Sequence, residues 1–387
     1  MSEFIGRDRK ARRSYGFDEI ALVPGDITIN PDEVDISLKI GNQKFAIPFL
    51  ASAMDGVVDP KFAIAMGKLG GLAVLNLEGI YTRYEDCDSI LEDIANATPE
   101  QATELVQKLY VEPIKEKLIA KRIQQIKNAK VPCAVSSLPQ KAERYGKIAQ
   151  DAGVDIFVVQ STVTTVKHIS SSYKVVDFSK LIKSMKGVPV ILGNCVTYKV
   201  ALELAETGCA GLLVGVGPGS ACTSRGVLGL GVPQVTAIAD CAAAREVYFK
   251  KTKRYVNIIG DGGMSTGGDI CKAFACGADA VMVGSAFART TEAPGRGFHW
   301  GMATPHANLP RGTRIRVGTT GTLEEILYGP AKLDDGTQNL VGALRTCMGN
   351  IGTKDIREMQ LTEIVIAPAI RTEGKLFQSA QRVGMGK

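Results

Sequence analysis

About eight short, nearly continuous apolar runs recur along the chain, and they constrain its fold more than any other feature. Runs of this kind are typical of parallel strands that are covered on both faces. Between them lie stretches with apolar residues at three- and four-residue spacing, several of which end in glycine where a helix C-cap belongs. The apolar runs begin at Ile47, Gly71, Pro132, Val154, Val188, Gly211, Val256 and Asp279.

This alternation of strand and helix patterns predicts the fold class. Repeated strand–helix units with right-handed crossovers form either an open doubly wound sheet or a closed barrel. About eight units favour the barrel, so we predict a single TIM (β/α)8 barrel domain over residues 1–387. Within it we expect an N-terminal leader and hairpin region at 1–46, a charged helical segment at 79–130, a glycine- and proline-rich active-site lid at 289–322 and a polar tail at 371–387.

Composition argues against several classes of function. A net charge of +6 is small for 387 residues, and the basic residues are dispersed, so we expect no nucleic-acid partner and favour an anionic small molecule. Because no apolar run could cross a bilayer and the N-terminus lacks a signal-peptide core, we expect a cytoplasmic protein with no membrane partner. Nine cysteines without a CxxC pair and three histidines without ligand spacing argue against disulfides and a transition-metal site.

A glycine-rich loop at 215–234, which follows the sixth predicted strand, contains Cys222. In a TIM barrel the loops after the strands form the active site. Backbone N–H groups of such a loop can face an anion and lower the pKa of a thiol, which suits a nucleophile. Free cysteine is also among the most buried residue types, so this loop alone leaves a core role for Cys222 equally open.

Three turns after the last three strands predict a phosphate site. Ser220 lies among glycines, residues 260–263 read GDGG, and residues 284–285 read GS. In barrels of this type, turns after the seventh and eighth strands commonly hold phosphate through backbone N–H groups and a serine hydroxyl. Asp261 could accept hydrogen bonds from the two vicinal hydroxyls of a ribose, or it could merely tie the turn.

Several longer motifs resemble the IMP dehydrogenase and GMP reductase family over about residues 15–370. They are FDEIALVP, SAMD, LGNCVT, GVGPGSACTSRGVLGLGVPQ and the block that runs from DGGMSTGGD to EAPG. The resemblance implies that Cys222 attacks the purine C2 and that a hydride passes between that carbon and a nicotinamide. It further implies that the covalent thioimidate is resolved in a second step.

The resemblance also implies roles for individual residues and a homo-oligomer, either a tetramer or an octamer. The residues implied for the purine nucleoside monophosphate are Ser52, Met54, Ser220, Asp261, Gly262, Gly263, Gly284, Ser285, Gly301 and Met302. Those implied for the cofactor are Gln160, Ser161, Thr162, Asn194 and Gly215. A potassium ion is expected at the carbonyls of Gly217, Gly219 and Cys222, helped by a neighbouring subunit's TEG motif at 372–374.

The chain departs from the family pattern in three places. Only residues 79–130 occupy the position of the regulatory CBS module, which is therefore expected to be absent. Gln160 stands where a carboxylate usually takes the cofactor ribose, and this weakens the preference for NAD over NADP. The lid lacks the Arg-Tyr pair of the dehydrogenases, and Arg311 stands where the reductases have a glutamate, although Ser224 retains the hydroxyl of their threonine.

These departures bear on the direction of the reaction. Activating water against a thioimidate needs a base, which His306 or Arg311 could supply, the histidine more readily because histidine ordinarily titrates near neutrality. Deaminating GMP needs a proton for the leaving amine, and a cationic Arg311 is a poor source. The other catalytic candidates are Cys222 and Ser224. We expect oxidation of IMP to XMP by NAD⁺. The alternatives are reduction of GMP by NADPH and a nucleotide-binding pseudoenzyme.

The lid also contains the single tryptophan of the chain, Trp300, which follows His299. The resemblance places a tyrosine and an arginine at these two positions. Trp300 could cover the purine or the cofactor, or it could pack within the lid.

Overall fold

A closed barrel of eight parallel strands forms the centre of the computed structural model, which describes residues 2–5, 7, 9–301, 313–367 and 374–386. Each strand pairs with the next along the chain and the eighth pairs with the first, so the predicted TIM barrel is confirmed. The strands are β1 (Phe49–Ala51), β2 (Leu72–Asn76), β3 (Ala134–Ser137), β4 (Ile156–Gln160), β5 (Val190–Cys195), β6 (Gly211–Val214), β7 (Asn257–Asp261) and β8 (Ala280–Val283).

The strands are mostly apolar because both of their faces are buried. In β4, Ile156 and Val158 belong to the cluster inside the barrel, whereas Phe157 and Val159 belong to the cluster beneath the helices. This alternation follows from the two-residue period of a strand. A small hairpin of Leu38–Ile40 and Gln43–Phe45 adds apolar side chains to the inner cluster and closes the amino-terminal end of the barrel.

Helices surround the barrel, and capping side chains fix where several of them begin. The Asp59 carboxylate accepts a hydrogen bond from the N–H of Phe62, and Thr266 and Asp269 cap each other's backbone N–H in a capping box. The α-helices are α1 (Pro60–Lys68), α2 (Asp88–Asn96), α3 (Pro99–Leu109), α4 (Glu116–Asn128), α5 (Ala142–Asp151), α6 (Phe178–Ser184), α7 (Tyr198–Glu206), α8 (Ser224–Leu228), α9 (Gln234–Thr252), α10 (Gly267–Ala275), α11 (Ser285–Ala288), α12 (Leu323–Tyr328), α13 (Leu340–Ile351), α14 (Ile356–Met359) and α15 (Leu376–Gln381).

Residues 79–130, called the insertion below, connect β2 to β3 through α2, α3 and α4. Each of these helices buries an apolar face against the main core, with Ile94, Val106 and Ile123 as examples. The insertion is therefore packed onto the barrel along its length.

Short elements complete the described chain. Ser2–Phe4 pairs with Lys10–Arg12, Ile20–Leu22 with Ile364–Ile366, and Phe298–Trp300 with Arg314–Arg316, all antiparallel. None of the helices in the described ranges has the length and apolar character needed to span a bilayer. The 3₁₀ turns are Phe17–Glu19, Pro31–Glu33, Ile80–Thr82, Pro139–Lys141 and Gly384–Gly386.

Candidate active site

A cavity of about 830 Å³ opens at the carboxyl ends of the barrel strands. Its volume is typical of sites that bind small molecules. Every site residue predicted from the sequence that lies in the described part of the chain lines this cavity. The predicted residues Met302, His306 and Arg311 lie outside the described residues, and so do Thr372 and Glu373 of the TEG motif.

Cys222 is the one cysteine that lines the cavity, and its side chain is half-buried. Its thiol donates a hydrogen bond to the Ser224 hydroxyl at 3.3 Å, and its N–H donates to the Gly219 carbonyl at 3.0 Å. Of the other eight cysteines, seven are buried, and burial raises the pKa of the Cys133 and Cys209 thiols to about 12. The loop thus exposes one thiol to the cavity, whereas burial favours the protonated form of the Cys133 and Cys209 thiols.

The cysteine loop lies directly against the turn that follows β7. Gly263 has a φ of +79°, and a Cβ added there would come within 2.9 Å of Cβ of Pro218. Gly262 also has a φ of +79° and would place a Cβ 3.4 Å from the N atom of Gly219. Both positions favour glycine because a side chain would be strained at this positive φ, and at Gly263 the added Cβ would also press against Pro218 of the cysteine loop.

We therefore expect Gly263→Ala to lower kcat/KM by about tenfold or more, since small displacements of a reacting group are costly. The left-handed conformation alone costs an alanine about 1–2 kcal/mol. Gly268→Ala in α10 is the matched control, because its Cβ would meet nothing closer than the Thr266 hydroxyl at 3.7 Å. Steady-state kinetics of both variants checks this, and equal activity would show that the contact with Pro218 is unimportant.

Hydroxyl groups from the loops after β6 and β8 converge where the sequence predicts phosphate. Ser220 Oγ and Ser285 Oγ are 2.8 Å apart. Gly284 lies against the loop after β1, since a Cβ there would be 3.2 Å from Sδ of Met54 and 3.6 Å from Oγ of Ser52. Three separate loops thus meet around one small polar patch of the cavity wall.

His299 also belongs to this patch, although the sequence suggested no role for it. Its Nε2 atom lies 3.1 Å from Ser285 Oγ, and Nδ1 is buried without a hydrogen-bond partner among the described residues. Burial, and secondarily the nearby charge of Arg289, lower the pKa of His299 to about 4. The imidazole is consequently neutral near pH 7. Its side chain points to the cavity because the strand Phe298–Trp300 alternates its side chains, a pairing that only the structure reveals.

Asp261 lines the cavity next to Asn194. The Asn194 amide donates a hydrogen bond to Oδ2 of Asp261 at 2.7 Å. Desolvation raises the pKa of Asp261 to about 6, and the hydrogen bond from Asn194 opposes that rise. The turn itself is held by Gln234, whose amide donates to the carbonyls of Val214 and Asp261 at 2.7 and 3.1 Å. The turn is therefore tied by the Gln234 side chain and not by the Asp261 carboxylate.

The loops after β2, β3 and β4 form the other side of the cavity, where the sequence predicts the cofactor. Gln160, Ser161 and Thr162 line it, all of them uncharged. Glu78 and Lys141 line the same side and form an ion pair at 3.3 Å, and neither was predicted from the sequence. No cluster of three His, Cys, Asp or Glu side chains able to hold a metal ion occurs among the residues the structure describes.

Trp300 does not line the cavity. It is 1% exposed, and its indole N–H donates a hydrogen bond to the Tyr110 hydroxyl at 2.9 Å. The sequence left open whether Trp300 covers the ligand or packs. The structure shows that it packs, and that its partner is the insertion.

Comparison with known proteins identifies the family. A model of the IMP dehydrogenase / GMP reductase domain matches residues 14–375. An uncharacterized oxidoreductase of Mycobacterium leprae is 38% identical over 372 residues, which cover 94% of this chain and 99% of that protein. The inosine-5'-monophosphate dehydrogenase of Cryptosporidium parvum is 32% identical, with 89% of each chain covered.

A solved structure agrees with these sequence matches. The crystal structure of an IMP dehydrogenase/GMP reductase-like protein from Corynebacterium glutamicum superimposes with a TM-score of 0.89. The two proteins are 36% identical, and the match covers 94% of this chain and 97% of the other. The chain belongs to the IMP dehydrogenase / GMP reductase family and is an oxidoreductase of that family.

Proposed function

We propose that this protein oxidises IMP to XMP with NAD⁺ through a covalent thioimidate on Cys222. The observation that carries the proposal is that the Cys222 thiol, the Ser220 and Ser285 hydroxyls and the Asp261 carboxylate line one cavity. A nucleoside monophosphate has a base, a ribose diol and a phosphate, and these three groups match that set of side chains. The similarity to named inosine-5'-monophosphate dehydrogenases supports the choice of IMP.

In this proposal the phosphate binds at the hydroxyl patch and the ribose at Asp261. Ser220 and Ser285 donate to phosphate oxygens together with backbone N–H groups at Gly263 and Gly284, and His299 completes that wall. The Asp261 carboxylate accepts from the two ribose hydroxyls while Asn194 keeps it oriented. The purine then lies between Cys222 and the loops that carry Met54 and Gly301, and Met302 remains a predicted contact.

The chemistry follows from the position of Cys222. The Cys222 thiolate would form a bond to C2 of the purine, and the hydrogen on C2 would leave as a hydride. NAD⁺ bound beside the purine would supply the acceptor for that hydride. Water then adds to C2, the S–C2 bond breaks, and XMP is released with the thiol restored. Ser224 can relay the thiol proton because its Oγ lies 3.3 Å from Sγ. His306 and Arg311 remain the predicted bases for the water.

In this proposal the dinucleotide binds next to the purine, on the cofactor side of the cavity. Gln160, Ser161 and Thr162 can hydrogen-bond a ribose without adding charge. The N–H of Leu138 donates to Glu78 at 2.7 Å, which holds that carboxylate between the β3 loop and Lys141. These residues would hold the cofactor together with Asn194 and Gly215, which also line the cavity.

A specific observation favours GMP reductase as the second candidate. Lys141 places a cation on the cofactor side, and no carboxylate stands at position 160, so the 2′-phosphate of NADPH could be accepted. Against the reductase, residues 301–313 contain no Asp or Glu that could protonate the leaving amine of GMP. We therefore propose the dehydrogenase reaction ahead of the reductase reaction.

Potassium and self-association belong to the same proposal. A potassium ion would bind the carbonyls of Gly217, Gly219 and Cys222, and the positive φ of Gly217, +76°, gives the loop a bend there. The family resemblance favours a tetramer or an octamer, and a cytoplasmic location is the expectation from the sequence. Size-exclusion chromatography with light scattering measures the assembly.

A spectrophotometric assay tests the proposed reaction. Purified protein with IMP and NAD⁺ is expected to produce reduced nicotinamide, measured by its absorbance, and to do so faster in potassium than in sodium salts. Consumption of NADPH with GMP and release of ammonia, without any reaction of IMP in either salt, would overturn the dehydrogenase in favour of the reductase. Binding of IMP and GMP without turnover of either would instead identify a pseudoenzyme.

A further inference from the structure

We propose that the insertion positions the cavity wall formed by His299 and Gly301, and that Tyr110 is the positioning residue. The two strands Phe298–Trp300 and Arg314–Arg316 are called the lid hairpin here. The inference rests on the proposed function for the identity of the nucleotide at this wall. Its structural basis is a set of contacts that join both strands of the hairpin to the insertion.

The first contact is a chain of hydrogen bonds through the Tyr110 hydroxyl. Tyr110 accepts a hydrogen bond from Nε1 of Trp300 at 2.9 Å and donates one to Oδ2 of Asp55 at 2.5 Å. All three side chains are buried. One hydroxyl of the insertion therefore links the lid hairpin to the loop that follows β1.

Asp55 is the fixed end of this series of hydrogen bonds. Its Oδ2 atom also accepts from the N–H of Ile80 at 2.6 Å, and its carbonyl accepts from the Tyr81 hydroxyl at 2.9 Å. A Cβ at Gly79 would lie only 2.0 Å from Oδ1 of Asp55, so the start of the insertion fits closely around this carboxylate. The insertion is consequently held rigidly at the point where Tyr110 meets the hairpin.

The second contact holds the other strand of the hairpin. The Arg314 guanidinium donates hydrogen bonds to the carbonyls of Ala97 at 2.7 Å and Ala95 at 3.4 Å, and also to that of Ile94. These carbonyls lie at the carboxyl end of α2, where a cation is favourable. The same guanidinium lies 4.5 Å from the ring centre of Phe298 on the partner strand. Both strands are thus attached to the insertion.

Because side chains alternate along a strand, attaching Trp300 to the insertion also fixes the position of His299 in the cavity wall. Trp300 points to the insertion, whereas its neighbour His299 points to the cavity and lies 3.1 Å from Ser285 Oγ. Gly301 follows directly and also lines the cavity. Tyr110 itself does not line the cavity, so it acts on the nucleotide only through the placement of these neighbours.

The test uses Trp300 as its own probe, because it is the only tryptophan in the chain. In Tyr110→Phe, we expect acrylamide to quench the tryptophan fluorescence several-fold more strongly than in the wild type, and IMP or GMP to bind about tenfold more weakly, as for loss of a buried hydrogen bond to a charged group. Tyr84→Phe is the matched control, since its hydroxyl donates to the Leu109 carbonyl within the insertion at 2.9 Å. That control is expected to match the wild type.

Arg314→Gln provides a second variant in case Tyr110→Phe does not fold. It is expected to give the same two changes, whereas Arg296→Gln, which breaks only an exposed ion pair with Glu92, should change neither. Wild-type quenching, or increased quenching with unchanged nucleotide affinity, would overturn the positioning role. If the wild type binds neither nucleotide, the proposed function fails, and the quenching of the free protein alone decides whether Tyr110 positions the hairpin.

Discussion

Cys222→Ala is expected to lower kcat by roughly 10⁴-fold or more, because removing a covalent nucleophile removes the whole reaction route rather than one of its contacts. The groups proposed to bind the phosphate and the ribose belong to other residues, namely Ser220, Ser285 and Asp261, so IMP should still bind with an affinity close to that of the wild type. Steady-state kinetics gives the first quantity, and isothermal titration calorimetry gives the second.

Cys347→Ala is the matched control, because Cys347 is the other half-buried thiol and does not line the cavity. It should retain turnover. A Cys222→Ala protein that still turns over at more than about a hundredth of the wild-type rate would contradict nucleophilic catalysis. Binding lost together with turnover would point to a structural role for the cysteine loop.

Asp261→Asn is expected to lower kcat/KM by about 10²- to 10³-fold. A carboxylate that accepts two hydrogen bonds from a diol contributes more than a neutral amide, and each charge-assisted bond is worth about 1.5–3 kcal/mol. A 2′-deoxy nucleotide provides the control, because it lacks one of the two hydroxyls. The variant should discriminate less between the ribo and deoxy substrates than the wild type does, and undiminished discrimination would exclude the diol contact.

The same residue predicts how activity depends on pH. Because burial raises the pKa of Asp261 to about 6, the charged form that binds the diol exists mainly above that pH. We expect kcat/KM to fall as the pH falls through about 6, and Asn194→Ala to move this inflection upward by removing the hydrogen bond that favours the charge. A pH–rate profile checks both, and an unmoved inflection would assign it to another group.

The fold was predictable because the periodicity of the sequence reports burial directly. Strands such as β4 and β6 are buried on both faces, which leaves continuous apolar runs, and the intervening helices have caps such as Asp59 and Thr266. Residues at the carboxyl ends of the strands, such as Asp261, and in the loops that follow them, such as Cys222, lie at the mouth of a barrel. For this reason the predicted residues in the described chain all line the same cavity.

Contacts between segments that are distant along the chain could not be predicted from the sequence. Trp300 and Tyr110 are separated by 190 positions, and neither segment has a sequence pattern that predicts contact with the other. His299 reaches the paired Ser220 and Ser285 hydroxyls only because Phe298–Trp300 forms a strand with Arg314–Arg316, and short edge strands have no distinctive periodicity. The ion pair of Glu78 and Lys141 likewise depends on how two barrel loops approach each other.

The proposed covalent bond between Cys222 and the purine is tested most directly by trapping it. Protein turning over IMP with NAD⁺ is quenched in acid, digested and analysed by mass spectrometry. We predict a nucleotide adduct on the peptide that contains Cys222 and none in the Cys222→Ala protein. Rapid turnover with no adduct on that peptide under any quench condition, while Cys222→Ala remains active, would contradict it.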